Sequence, residues 1–376
     1  MDDTAYFDWA ATAPMRPEAV EAMLPYLTSA FGNPSGSHQV ARRAAKALDE
    51  SRDIVAEALG VRPGEIVFTG GGTEADNLAI SGVLGAAGGR VVCSAIEHHA
   101  VLDVVHHHGG NVVGVDADGL IDLEQLAEAL TPDVRLVSVM AANNEVGTIQ
   151  PLRRITRLVS KRAPQAVVHT DAVQAIAWTD VAADARHAHL ISISAHKFGG
   201  PKGVGALAVR AGTPLHAQLL GGGQERNRRS GTQNVAGIVA MAAALHLTVL
   251  SRDATICRVG ALRDRLVDAL LATVPGLTET VTRSVRVASN AHVMIPRVEN
   301  ESLLYLLDRA GVCASAASAC ASGAIEPSHV LAALGHDRHA AATAVRFSLG
   351  WGTSDADVDR LIDVVPAAVA RLRGES

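Results

Sequence analysis

The chain is predicted to be an α/β protein built on a mostly parallel sheet and followed by a smaller α+β part. Three observations carry that prediction. Short β-branched runs alternate with helical stretches through the first 250 residues, two long helices flank shorter strand-like runs after that point, and hydrophobic residues are 48% of the 376 while aromatics are only 3%. Alternation of this kind implies β–α–β units and therefore parallel pairing. The change of texture implies a second unit, the composition implies a core of Ala, Val, Leu and Ile, and the length suits two domains on one chain.

Seven runs read as strands: 65–69, 90–94, 111–115, 135–140, 166–170, 190–194 and 204–209. Between the early ones, the stretch from Ser37 to Leu59 puts Val40, Ala44, Ala47, Leu48, Val55, Ala58 and Leu59 on one helical face, and Gly60 stops it. The glycine-rich polar stretch from Gly221 to Gly231 reads as an ordered loop or a crossing between parts. After residue 250, helices over Arg258–Val274 and Asp355–Arg373 are expected to flank strands at Val285–Val287 and Val345–Leu349.

Composition also excludes several classes. A formal charge of −6, with no block of lysines or arginines read along the chain, argues against nonspecific binding to nucleic acid or anionic membranes. The acidic start Met1-Asp-Asp-Thr lacks the basic and apolar regions of a secretory signal, so a cytoplasmic location is expected. The apolar stretch Val235–Leu250 is too short to span a bilayer and reads as a buried helix. Four cysteines without Cys-x-x-Cys spacing disfavour a structural zinc site or a disulfide framework, so a special cysteine would be a reactive thiol.

The chemistry-bearing residues cluster at strand ends. Leu190–Ser194 delivers Lys197 to the C-terminal edge of the sheet, where open α/β sheets bind ligands. An amine near apolar surroundings suits Schiff-base chemistry with an aldehyde such as pyridoxal phosphate, although a lone lysine there more often snorkels and caps carbonyls. Gly70-Gly-Gly-Thr73 follows a strand and precedes a helix, an arrangement that can cradle a phosphate or be a plain turn. Asp171 ends another strand and could pair with a protonated ring nitrogen or cap a helix. One imidazole of Glu97-His98-His99 could stack on a flat ring or shuttle protons, or simply lie in a loop, while His106–His108 reads as a solvated helix end.

In order along the chain stand Gly-Gly-Thr73-Glu-x-Asp-Asn, Glu97-His98-x-Ala-Val-Leu-Asp103, Asn143-Asn144-Glu-Val-Gly147, His169-x-Asp171-Ala-x-Gln174, Ser194-x-His196-Lys197, Gly-Gly-Gly-Gln-Glu-Arg226 with Arg-Ser-Gly-Thr232, Ser-Ala-Cys320, and Arg346-Phe-Ser-Leu-Gly350. Together they resemble the cysteine desulfurases of the NifS/IscS family, over nearly the whole chain. The resemblance implies the fold type I of pyridoxal-phosphate enzymes, in the class V aminotransferase group, working as homodimers. It implies a large domain over 15–250 with a seven-stranded sheet, and a small domain formed by 1–14 and 251–376.

The same resemblance implies that Lys197 is the Schiff-base lysine and the base at the substrate Cα. It implies that Asp171 pairs with the ring nitrogen, Gln174 with the ring hydroxyl, and that His98 stacks on the ring. Thr73, Ser194 and His196 would hold the phosphate, with Thr232 reaching it from the second subunit. Arg346, helped by Asn144 and Asn33, would bind the substrate carboxylate. Cys320 would attack the sulfur of L-cysteine to leave a persulfide and alanine, for delivery to a sulfur-acceptor protein such as an iron–sulfur scaffold or carrier.

The run of small residues around Cys320 reads as a loop, and Cys313 as a buried, inert thiol. Departures from the family pattern are Ala316 and Ala317 in that loop, Trp9 near the start, and an end at Ser376 soon after the last helix, where housekeeping members carry a longer docking tail. Other readings are a relative acting on selenocysteine or transferring amino groups, with Cys320 incidental, and a catalytically idle sulfur-carrier adaptor that keeps the fold.

Overall fold

A computed structural model describes residues 4–316 and 328–375. The strands are β1 (Ala5–Tyr6), β2 (Ile66–Thr69), β3 (Arg90–Ser94), β4 (Asn111–Val113), β5 (Val134–Ser138), β6 (Val167–Asp171), β7 (Leu190–Ser194), β8 (Gly205–Val209), β9 (Thr278–Glu279), β10 (Asn290–Met294), β11 (Val312–Cys313) and β12 (Ala344–Ser348). Seven of them form one sheet in the order β2-β8-β7-β6-β5-β3-β4. Within it β8 runs antiparallel to both of its neighbours, and the pairs from β7 to β4 are parallel.

The side-chain alternation along these strands builds two cores, one on each face of the sheet. Ile66, Phe68, Val92, Ile191, Ile193, Ala206 and Ala208 pack on one face with the helices Gln39–Leu59, Leu152–Arg162 and the first half of Val235–Thr273. Val67, Val91, Cys93, Leu190, Leu207 and Val209 pack on the other with the helices Gly72–Ala87 and His99–His107. Strands buried on both sides read as near-continuous apolar runs, which is why most of the seven are visible in the sequence, whereas the edge strand β4 is exposed at Asn111 and Val112. The helix expected from Ser37 begins at Gln39, capped by His38, and stops at Gly60 with φ 62°.

A separate core joins Ala5 and Phe7 to Val259, Leu266, Val293, Leu303, Val312, Phe347, Val358 and Leu361. Here β10 lies between β9 and β12, antiparallel to both, and β1 pairs in parallel with β11. The N-terminal strand is therefore stitched into the C-terminal part of the chain.

Two expectations for this region are corrected. The stretches 235–250 and 258–274 are one helix, Val235–Thr273, because no proline or glycine interrupts Ser251-Arg-Asp-Ala-Thr-Ile-Cys257. At 39 residues it runs about 58 Å and serves both cores, so position 250 lies inside a helix. It is long and apolar enough to cross a membrane, but it packs against the helices Pro17–Leu27 and Gln39–Leu59. The second correction is Val285–Val287, which is not a sheet strand. Its backbone pairs instead with a turn of the large sheet's loops, through Ile149 N to Val285 O at 2.7 Å and Val287 N to Gly147 O at 3.0 Å.

Candidate active site

The C-terminal ends of β2, β3, β6 and β7 share one edge of the large sheet, and most of the singled-out residues lie there. Beyond β2 the chain turns through Gly71, at φ 147°, into the helix starting at Gly72. A Cβ on Gly72 would stand 2.9 Å from Val173 and 3.3 Å from Ser194, and one on Gly205 would stand 2.6 Å from Ile193 O and 2.8 Å from Gly71. Glycine is therefore required where the backbone of this turn lies against β7 and β8. The result is an open helix N-terminus, with Thr73 exposed beside it and the buried Ser194 next to it. Such an arrangement suits a phosphate.

After β7 a single 3₁₀ turn, Ala195–Lys197, sets His196 and Lys197 over the same edge. Lys197 Nζ donates to the carbonyls of Ala10 at 2.6 Å and Ala11 at 2.9 Å. His196 Nδ1 lies 3.2 Å from Thr12 Oγ1, and burial with the neighbouring Lys197 lowers its pKa to about 4. Gln174 Nε2 donates to Ala10 O at 2.7 Å. The strap of residues 8–12 thus binds four of the expected site residues, Lys197, His196, Gln174 and, through Asp8, Arg346.

Asp171 ends β6 and is buried, its Oδ1 accepting Val173 N at 2.8 Å. Burial pushes its carboxyl up, while that N–H bond and Lys197 pull it down. It does bond the turn that follows, as a cap would, yet its buried place at this edge also suits a cationic ring nitrogen. Two more buried acids lie close by. Asp76 and Glu97 are both pushed well up by burial, and Asp76 Oδ1 and Glu97 Oε2 have no hydrogen-bond partner among the described residues. Below them His169 is held between the hydroxyls of Ser138 and Ser192, at 2.8 and 2.9 Å.

His98 caps the helix His99–His107, with Nδ1 accepting from Ala100 N at 3.0 Å. That bond fixes the tautomer, since an accepting Nδ1 leaves the proton on Nε2. Burial first, then Lys197, lowers its pKa to about 4, which keeps the ring neutral near pH 7.

Arg346 lies in β12 with its guanidinium buried. Its Nη2 pairs with Asp8 Oδ1 at 2.7 Å and its Nη1 donates to the backbone oxygen of Asn144 at 2.8 Å. Asn144 thus meets Arg346 through its main chain. The Arg346 backbone also pairs with Ser315, at the foot of the segment that carries Cys320. Cys320 and Ala317 lie outside the described residues. Cys313, on β11, is half-buried, and burial pushes its thiol up, as suits an unreactive cysteine.

Two expected residues are not brought to this edge within one chain. Asn33 is exposed and accepts from Ser35 N, and its neighbours Pro34 and Ser35 line a groove with Arg52, Arg226 and Gln233. Thr232 is exposed on the loop that follows the short helix Gln224–Asn227. That loop is anchored by a buried pair, Arg52 Nη1 and Nη2 on Glu225 Oε2 and Oε1 at 2.8 and 2.9 Å.

Asp8, the Ala10 and Ala11 carbonyls, and the Arg52–Glu225 pair were not singled out by the sequence. Asp8 had a signal: it is the one charged residue between Thr4 and Met15. The helix Leu152–Arg162 also carries five basic residues and no acidic one, a cationic stretch away from this edge that the composition hid.

An open glycine-lined helix N-terminus, a lysine, and a buried aspartate on one sheet edge fit pyridoxal phosphate, by phosphate, aldehyde and ring nitrogen respectively. The comparisons with known proteins agree. The model of the aminotransferase class-V family matches residues 5–361. The cysteine desulfurase IscS of Dictyoglomus turgidum is 41% identical over 381 residues, covering 99% of this chain and 96% of its own. A solved NifS-like protein superposes with a TM-score of 0.91 at 35% identity, over 98% of this chain and 100% of that one. A solved SspA in complex with cysteine gives 0.79 at 30% identity, over 92% and 99%. The chain belongs to the aminotransferase class-V family, whose members depend on pyridoxal phosphate, and within it to the cysteine desulfurases of the NifS/IscS kind.

Proposed function

We propose that the protein is an L-cysteine desulfurase that moves the sulfur of L-cysteine onto Cys320 as a persulfide and releases L-alanine. The observation that carries this reading is the meeting of Lys197, Asp171 and the Gly71–Thr73 turn at one sheet edge, across from a buried Arg346 whose strand pairs with the foot of the Cys320 segment. Pyridoxal phosphate, when bound, supplies an electron sink for charge developing at the substrate Cα.

Each residue then has a defined task. Thr73, Ser194 and His196 would hold the phosphate, joined by Thr232 from a second subunit. Asp171 would keep the ring nitrogen protonated, Gln174 would bind the ring hydroxyl, and the neutral His98 would lie against the ring. Arg346 grips the substrate carboxylate with two N–H groups in a plane, a geometry that ammonium groups lack. Asn144 and Asn33 assist, Asn144 by holding Nη1.

Lys197 takes the proton from the substrate Cα. The Cys320 thiolate attacks the substrate sulfur, forming an S–S bond as the substrate Cβ–S bond breaks, and the carbon is protonated. Cys320 thiol and L-cysteine thus become Cys320 persulfide and L-alanine, with no outside oxidant or reductant.

The finer reading is a homodimer. Its support is a set of exposed apolar side chains, among them Leu24, Leu27, Phe31 and Leu220, the last two 73% and 85% exposed. We place the large domain at 15–250 and the small one at 1–14 with 251–376, and the enzyme in the cytoplasm. It would pass sulfur to an iron–sulfur scaffold or another carrier protein, without direct binding to nucleic acid or membrane.

The test is incubation with L-cysteine, with alanine measured by chromatography and the modification of Cys320 by mass spectrometry. One alanine per persulfide in the first turnover, and no persulfide in Cys320→Ala, is expected. Alanine without sulfane sulfur, or a fully active Cys320→Ala with an acceptor present, would sink the reading.

A further inference from the structure

Arg346 already has an anion in its grip. Its side chain is 4% exposed and that of Asp8 is 24% exposed, and Nη2–Oδ1 is 2.7 Å. With Nη1 on Asn144 O, two of the five N–H bonds are taken. Nε is buried and has no partner among the described residues.

We propose that Asp8 is a positioning and affinity-setting residue: it neutralises Arg346 while the carboxylate site is empty, and opposes any α-carboxylate that arrives. The proposal rests on the reading of Arg346 as the carboxylate receptor.

The physical argument has two parts. A buried guanidinium without a counter-ion is costly, so the empty site needs an anion to hold Arg346 in one place. Once the substrate's carboxylate binds, one cation serves two anions in a region of low dielectric, and their repulsion weakens the grip. L-cysteine and L-alanine carry the same α-carboxylate, so this weakening applies equally to substrate and product. Binding that is equal along the reaction does nothing for the chemical step, whereas an unopposed Arg346 would retain alanine. Asp8 therefore raises KM and keeps product from accumulating on the enzyme.

The backbone around Asp8 fixes it for that task. Asp8 bridges to Ser348 of β12, Ser348 N donates to Phe7 O at 2.8 Å, and Ala10 N donates to Ser348 Oγ at 2.9 Å. The main chain that carries the carboxylate is thus held against β12. Two residues further on, the same strap presents Ala10 O to Lys197 and Gln174.

The experiment uses the holoenzyme and Asp8→Asn, which keeps an oxygen for Nη2 but removes the charge. The probes are L-alanine and propionate, titrated calorimetrically and as competitive inhibitors against L-cysteine. Propionate reads the carboxylate alone, since it has no amine. Both dissociation constants are expected to fall on the order of tenfold, about 1.4 kcal/mol, and KM for L-cysteine to fall with them while kcat does not rise. Asp8→Glu restores the charge and should restore weak binding. Asp8→Ser serves as the neutral variant if Asp8→Asn does not fold. Unchanged or weaker binding in the neutral variant overturns the proposal, because damage to the site weakens binding and cannot tighten it. Arg346→Lys separates the two readings. If it leaves propionate binding intact, the assignment of Arg346 fails and the role of Asp8 fails with it. If it weakens propionate and the neutral variant does not tighten it, the role of Asp8 alone fails.

Discussion

Lys197 and Gln174 donate to one and the same oxygen, the carbonyl of Ala10, at 2.6 and 2.7 Å. A main-chain carbonyl from the N-terminal strap thereby sets both the amine and the amide over the sheet edge, with Ala11 O adding a second acceptor for the amine. The two side chains are expected to differ sharply on removal. Lys197→Ala should lose all cofactor retained after borohydride reduction and at least about a thousandfold in activity, since no other amine replaces a Schiff-base nucleophile. Gln174→Ala should keep the reducible link and bind the cofactor several-fold more weakly, the loss of about one hydrogen bond. Mass spectrometry of the reduced protein separates the two outcomes.

The Arg52–Glu225 pair anchors the loop that leads to Thr232. Its side chains are 6% and 1% exposed, and Glu225 also accepts Phe68 N at 3.0 Å. Three successive residues of the turn Gln224–Asn227 that leads into that loop, Glu225, Arg226 and Asn227, have φ of 48°, 57° and 61°, a strained, left-handed backbone for side-chain-bearing residues. Arg52→Ala leaves a buried carboxylate unpaired, and a loss of about 3–5 kcal/mol is expected in equilibrium denaturation. The loop should also relax, weakening cofactor binding in the same variant.

The sheet was legible because strands buried on both faces read as apolar runs, and the edge residues were legible because they follow those runs at once. Asp171 after Val167-Val-His-Thr and Lys197 after Leu190–Ser194 are examples. What escaped was what depends on distance along the chain. Asp8 and Arg346 are 338 positions apart and Arg52 and Glu225 are 173, so no local pattern joins them. The 39-residue helix escaped for another reason. Its two halves join different cores, and the largely polar stretch Ser251–Cys257 between them reads as a break. Thr232 was found as a motif member and Asn33 only through the family resemblance, but one chain alone does not bring them to Lys197.

Gly71→Ala tests the phosphate turn. At φ 147° an L side chain is strained whatever space surrounds it, and relief would rotate the N–H groups away from their common focus. The cofactor dissociation constant is expected to rise by at least about tenfold, equivalent to roughly 1.4 kcal/mol, with the fold kept. All three tryptophans of the chain, Trp9, Trp178 and Trp351, line the cavity that Lys197 borders, so quenching of their fluorescence reports the titration directly.

His292 gives a pH dependence with a definite sign. It is fully buried in β10, with Nδ1 2.7 Å from Thr280 Oγ1, and burial, then Arg346, lowers its pKa from 6.5 to about 3. The folded protein keeps this ring neutral, while the unfolded chain takes up a proton below pH 6.5. Its contribution is therefore complete above pH 6.5 and is lost as pH falls toward 3. In His292→Gln that contribution is absent at every pH. The stability gap between wild type and variant should narrow as pH is lowered from 7.5 to 4.5, by up to about 2.7 kcal/mol, two units at 1.36 each. Other buried groups, including His169, Asp76 and Glu97, are common to both proteins and cancel in the difference. Urea denaturation of the two proteins at both pH values measures it, and a gap that widens toward acid would show that the ring is protonated in the folded state.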